Sequence, residues 1–159
     1  MCEPMWQYED IVYPKKKRSV LKRTLIALAA LVGISTSAGA ATMIDITVDI
    51  SDQEMYLQTP EGDAVWPVST GRRGYDTPVG DYQPTRIEEM WYSSKYENAP
   101  MPYSIFFSGG YAIHGTEYED RLGTRASHGC IRLSEDNASV LYELVDYYGM
   151  ENVNIRVQP

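Results

Sequence analysis

Ile44, Ile46, Val48 and Ile50 alternate with Asp45, Thr47 and Asp49. Successive side chains of a strand point to opposite faces, so this spacing buries one face and wets the other. A chain whose apolar residues keep that period has to build sheets. The runs 55–59 and 64–69 flank Pro60-Glu61-Gly62-Asp63 and predict a hairpin. Residues 79–87 are strand-like, with Pro84 suited to an edge or a bulge. A second hairpin is predicted for 103–108 and 111–114, turning at Gly109-Gly110, and 153–157 reads as a last strand closing the sheet. Residues 70–78, 88–102 and 115–126 show no period and read as loops, and long loops in small domains often carry function. One stretch has helical period: Ala138, Leu141, Leu144, Val145 and Tyr148, opened by Ser134 as N-cap and ended by Gly149. Glu135 and Asp136 sit where the helix dipole favours negative charge. The fold class that follows is mainly β with one principal α-helix.

The first forty residues have a different character. Lys15, Lys16, Lys17, Arg18, Lys22 and Arg23 form a basic block, an apolar run fills 24–34, and small residues end at Ala38-Gly39-Ala40. That order predicts a secretory signal peptide over 1–40, cleaved after Ala40 on the general secretion route. The alternative is an uncleaved anchor, because the segment before the basic block is long. A confident membrane span needs about twenty apolar residues, more than this run offers. The expectation is an exported domain of residues 41–159 in the periplasm or cell envelope, touching a membrane only through an uncleaved N-terminus. Residues 41–159 carry eight basic and nineteen acidic side chains, a formal charge of −11. Nucleic acids and anionic membranes reward clustered lysine and arginine, so neither is an expected partner.

Cys130 is the only cysteine outside the N-terminal segment, and the chain's two histidines are His114 and His128. Isolated cysteines are commonly small buried hydrophobes. An exported domain gives this one no disulfide partner, which favours use over burial. The thiolate is the reactive species, and a neighbouring imidazole is the usual means of generating it. An acyl-transfer site needs a nucleophile, a base and backbone N–H groups facing the developing oxyanion. A strand end at His114, the loop at Gly129 and an entrance to the helix at Cys130 are expected to supply them. Sequence spacing permits contact between His114 and Cys130 without requiring it.

The pattern His114-Gly115-Thr116 followed by Ser127-His128-Gly129-Cys130-Ile131-Arg132-Leu133 resembles the signature of the L,D-transpeptidase (YkuD-type) catalytic domain. Upstream, Thr70-Gly71 and Thr77-Pro78-Val79-Gly80-Asp81-Tyr82 resemble the family's Thr-Gly … Thr-Pro-x-Gly-x-aromatic stretch. The resemblance covers roughly 43–157. It implies a β-sandwich or open-barrel-like fold, with Cys130 as nucleophile, His114 as base and backbone N–H groups around Gly129 and Cys130 as oxyanion hole. It also implies that His114 is oriented at Gly115, where only a carbonyl is on offer. Ser127 and His128 would shape the site, and Arg132 would hold the loop or meet a substrate carboxylate. Trp91, Tyr92 and Tyr96 are candidates for a flap over the substrate, and Arg72 and Arg73 for attracting its carboxylates. The reaction implied is cysteine acyl transfer from a peptidoglycan stem tetrapeptide, releasing D-alanine, to an acceptor amine on another stem or on an envelope protein. No metal or organic cofactor is needed.

Three other readings stay open at this level. Water as acceptor would make the chain an L,D-carboxypeptidase. A buried Cys130 and a core His114 would leave a wall-binding module without catalysis. Zinc held by His114, His128 and Cys130 has only two ligands close in sequence, where three or four are usual.

Overall fold

The computed structural model describes residues 44–159; the signal-peptide reading of 1–40 lies outside them. Nine strands and one α-helix follow in order: β1 Ile44–Asp49, β2 Glu54–Thr59, β3 Gly62–Pro67, β4 Gly80–Tyr82, β5 Arg86–Ser93, β6 Ala99–Ser108, β7 Tyr111–Thr116, β8 Ile131–Ser134, α1 Glu135–Tyr148 and β9 Val153–Gln158. They form a five-stranded sheet, β3-β2-β1-β9-β4, and a four-stranded sheet, β5-β6-β7-β8. The expected fold class, mainly β with one helix, is what the chain adopts. Among the described residues no helix is long and apolar enough to cross a membrane.

The alternation of β1 works as its spacing demands: Ile44, Ile46 and Val48 are buried while the residues between them are partly exposed. The last strand does not close an edge. β9 inserts between β1 and β4, parallel to β1, because Val153, Ile155 and Val157 bury the same face as β1. One core joins the inner faces of both sheets to the helix stripe Ala138, Leu141, Leu144 and Val145. Ser134 caps α1 by accepting from the Asn137 N–H, and Gly149 ends it at φ 88°.

The stretch 88–102 corrects an expectation. It is not a long loop but most of a hairpin, with β5 and β6 paired from Arg86↔Phe106 to Ser93↔Ala99. Tyr103 takes a left-handed backbone, φ 55°, and interrupts the alternation of β6. Before it, Met101 faces a small second cluster; after it, Ile105 and Phe107 face the main core. β5 changes faces opposite, with Ile87 against the main core and Trp91 against the second cluster. That second cluster, Met101, Phe106 and Ala112 with Trp91 and Cys130, lies on the side of the smaller sheet away from the helix.

Candidate active site

Cys130 stands at the start of β8, one residue before Ile131. It lies four residues before the N-cap Ser134, as expected, and the connection into the helix is this strand. Ile131 and Leu133 are buried in the main core, which makes Ile131–Ser134 a strand paired in parallel with β7. Four strand residues put α1 about 13 Å away, outside the reach of its first-turn dipole.

The same register puts His114 opposite Arg132. Side chains two apart share a face, so Cys130, Arg132, Ala112 and His114 project from one side of the sheet. His114 and Cys130 are diagonal neighbours on adjacent strands, while Ile113, Ile131 and Leu133 anchor both strands from the core side. The distant histidine in the sequence is thereby held on rigid backbone beside the thiol.

His114 is buried, and its Nδ1 lies 2.7 Å from the Gly115 carbonyl. A carbonyl only accepts, so Nδ1 carries the proton and Nε2 keeps its lone pair. Burial holds the His114 pKa down to about 4; the Gly115 carbonyl opposes that shift and the Arg132 charge adds to it. His114 is therefore a neutral base near pH 7. Gly115 supplies this carbonyl while its other side packs on α1. A Cβ there would come within 3.1 Å of Glu135 Cα and of Pro102 Cγ.

Cys130 is half-buried and free. Burial pushes its thiol above the ordinary range, against the pull of the Ala112 N–H and the Arg132 and Lys95 charges. The resting pair is thus thiol and imidazole, both uncharged.

His128 has another set of partners. An Arg72 guanidinium nitrogen lies 2.7 Å from its Nε2. A guanidinium only donates, so that ring nitrogen is the acceptor and its lone pair is taken. Tyr96, at the hairpin tip, stacks on the ring at 4.5 Å, and Tyr75 meets it edge-on at 4.8 Å. Burial first, then the charges of Arg72, Arg132 and Lys95, lower the His128 pKa.

The loop entering Cys130 is braced from inside. Ser127 is fully buried; its hydroxyl donates to the Cys130 carbonyl at 2.6 Å and accepts from the Gly129 N–H at 2.9 Å. It therefore shapes the loop from beneath rather than lying on a surface a substrate can touch. The same bond occupies the Gly129 N–H, leaving Gly129 a different job. At φ 111° it passes the Tyr111 ring where a Cβ would lie 2.5 Å from Cε1. Of the three flap candidates, Trp91 and Tyr96 reach the site, whereas Tyr92 is 57% exposed and makes no ring contact among the described residues. Arg73 is exposed on the 70–78 loop.

Two residues have roles that the sequence reading did not assign. Thr77 Oγ1 accepts from the Gly71 N–H and donates to the Gly129 carbonyl, both at 2.9 Å, and so ties the upstream loop to the cysteine loop. Gln53 clamps Thr70, donating to its hydroxyl at 2.6 Å and accepting from its N–H at 2.9 Å. The Thr-Pro string around residue 77 was a signal for the first; nothing local marked the second. Among the described residues no group of three or more His, Cys, Asp and Glu side chains is placed to hold a metal ion.

Comparison with known proteins identifies the family and the fold. The probable L,D-transpeptidase ErfK/SrfK of Escherichia coli K12 is 28% identical over 125 residues, covering 63% of this chain and 40% of the relative. The probable L,D-transpeptidase YbiS of the same organism is 28% identical over 126 residues, 63% of this chain and 41% of its own length. The chain thus spans about two-fifths of the curated relatives it matches. A solved L,D-transpeptidase from Mycobacterium smegmatis superposes with a TM-score of 0.65 at 22% identity, over 74% of this chain and 59% of that one, a likeness of fold. The family model for the L,D-transpeptidase catalytic domain (YkuD) matches residues 44–155, which takes in nearly all of both sheets and every candidate site residue. By that match, the chain belongs to the YkuD family of L,D-transpeptidase catalytic domains.

Proposed function

We propose that this chain is a peptidoglycan L,D-transpeptidase of the cell envelope, working by acyl transfer through Cys130. The observation that carries the reading is the placement of Cys130 and His114 on one face of two adjacent strands, with His114 Nδ1–H held by the Gly115 carbonyl. His114 Nε2 is left to accept the thiol proton as Sγ attacks the carbonyl before the terminal D-alanine of a stem tetrapeptide. The Cys130 N–H is the candidate donor to the oxyanion that forms, since that of Gly129 is spent on Ser127. Collapse breaks the peptide bond; the D-alanine amine takes the proton from His114 and leaves. An acceptor amine then attacks the thioester, giving its proton to His114, and the thiolate leaves and is reprotonated. His128 has its Nε2 occupied by Arg72, which argues against it as the base. Water in place of the amine gives carboxypeptidase activity at the same site, and a lysine or N-terminal amine of an envelope protein gives protein anchoring.

Mass spectrometry after incubation with tetrapeptide-bearing wall fragments tests the reading. The wild type should show a thioester on Cys130 and release D-alanine; Cys130→Ala should do neither. D-Alanine release by Cys130→Ala would end the proposal.

A further inference from the structure

The tip of the β5–β6 hairpin, residues 94–98, meets the cysteine loop through one side chain. Its backbone hydrogen bonds close on the turn itself, from the Tyr96 and Asn98 N–H groups to the Ser93 carbonyl and from the Ala99 N–H to the Tyr96 carbonyl. Ser94, Lys95, Glu97 and Asn98 are exposed, whereas Tyr96 is partly buried. Its ring stacks on His128, with centroids 4.5 Å apart and planes 28° from parallel. His128 stands two residues before Cys130. Nearer the base of the hairpin, Trp91 and Met101 join the small cluster that Cys130 borders. The hairpin therefore lies over the thiol, packed along its strands and fastened at its tip by one ring stack.

The partners of His128 hold its ring only while it is neutral. Arg72 approaches Nε2 to 2.7 Å, and its guanidinium lies 4.5 Å over the Tyr75 ring, which in turn meets His128 edge-on. A guanidinium only donates, so a proton on Nε2 would set N–H against N–H at that distance and the bond would have to break. The cationic ring would then face Arg72 from the 70–78 loop, Arg132 from β8 and Lys95 from the tip itself. Tyr75 and Tyr96 bring phenol rings to it and no carboxylate. A cation gains from an aromatic face, but the Lys95 ammonium, 5.3 Å from the Tyr96 centroid, already draws on that face. Burial and these three charges together hold the His128 pKa below its ordinary value. The stacked ring thus binds a proton more weakly than a freed one, so acid favours the freed ring.

We infer that the Tyr96–His128 stack is a proton-operated latch: the neutral imidazole holds the hairpin tip over Cys130, and protonation of the ring releases it. His128 is on this account a positioning residue that acts through Tyr96, while the base remains His114. The inference concerns access to the thiol and does not rest on the acyl transfer proposed above. Closed, the hairpin admits small molecules to Cys130 and obstructs large ones; released, it admits both.

Two uncharged thiol reagents with the same reactive group read the latch: N-methylmaleimide, and a maleimide carrying a short polyethylene glycol chain. Both react with the same thiolate population, so the ratio of their rates on Cys130 cancels its ionisation and reports access alone. In the wild type the bulky-to-small ratio should rise about three- to ten-fold as the pH is lowered from about 7.5 to about 5. His114, with its pKa held to about 4, stays neutral over that range. His128→Phe keeps a ring for Tyr96 and removes the proton, so its ratio should stop changing with pH. Tyr96→Ala, on an exposed turn, should keep the ratio at its acid value throughout, and Tyr96→Phe should follow the wild type. A merely structural role for His128 would change both rates together and give no pH-dependent ratio. A wild-type ratio that is flat with pH overturns the latch. So does a ratio that still climbs in His128→Phe, or one in Tyr96→Ala that matches the wild type at every pH. The expected ratios without D-alanine release would leave the latch standing and overturn the proposed function instead.

Discussion

Thr77 shows how much of this site is held by single atoms. One hydroxyl joins the Gly71 N–H to the Gly129 carbonyl, and Thr77 is itself buried. Thr77→Val keeps the shape and removes both bonds, leaving a buried donor and a buried acceptor unpaired. The expected cost is about 2–4 kcal/mol, seen as a lower Tm, together with a fall in D-alanine release as the cysteine loop loses its tether. An unchanged Tm would show that water replaces the hydroxyl. The histidines make the same point. Sequence proximity favours His128 as partner of Cys130, yet the hydrogen bonds divide the two rings differently. Arg72 occupies Nε2 of His128, while the Gly115 carbonyl leaves Nε2 of His114 open. Which ring nitrogen is free depends on partners 56 residues away in one case and one residue away in the other. The spacing of the motif points to His114, and the hydrogen bonds supply a physical reason to prefer it over the nearer histidine.

At the scale of elements, β7 is the pivot. One side of the strand carries His114; the other packs Gly115 against α1, where a Cβ would lie 3.1 Å from Glu135 Cα. Gly115→Ala places a methyl against the helix backbone at Glu135 and the Pro102 ring, neither of which can swing aside. The expected outcome is a loss of about 1–3 kcal/mol and a weaker hold on His114, measured as lower Tm and slower D-alanine release in the same preparation. Retention of both would mean that the helix shifts freely. The hairpin β5–β6 explains where the sequence was hard to read. Its alternation breaks at Tyr103 and opposite it on β5, so a window across 88–102 mixes two faces and shows no period. Elements with one buried face throughout, such as β1, β9 and α1, were legible because burial pattern and period agree.

For the molecule as a whole, burying His114 makes stability depend on pH. Unfolded, the imidazole titrates near 6.5; folded, it is held near 4. Between those values the unfolded chain binds more protons, so acidification favours unfolding. Stability is fully retained above about pH 6.5 and falls by about 3 kcal/mol as the pH drops to about 4. The lowered pKa of His128 acts with the same sign. Asp49, held near 2 by Ser51, Gln158 and Asp52, adds its own loss only at lower pH, below its ordinary value of 3.8. Thermal denaturation across pH 4–7 should show the decline, and His114→Gln should flatten most of it. A pH-independent Tm in the wild type would contradict neutral burial.

The sequence by itself determined the β class and the single helix with its caps, and its motifs nominated Cys130 and His114 as candidates. All of these follow from local period, turn residues and motif spacing. Only the tertiary structure decided that β9 lies inside a sheet rather than at its edge, that a strand separates Cys130 from the helix, and that Ser127 faces inward. It alone brought Arg72 onto the His128 ring, across 56 residues of sequence. The reason is physical: period and propensity act over a few residues, whereas register, burial and electrostatic neighbours are set by segments that meet only when the two sheets close on their common core.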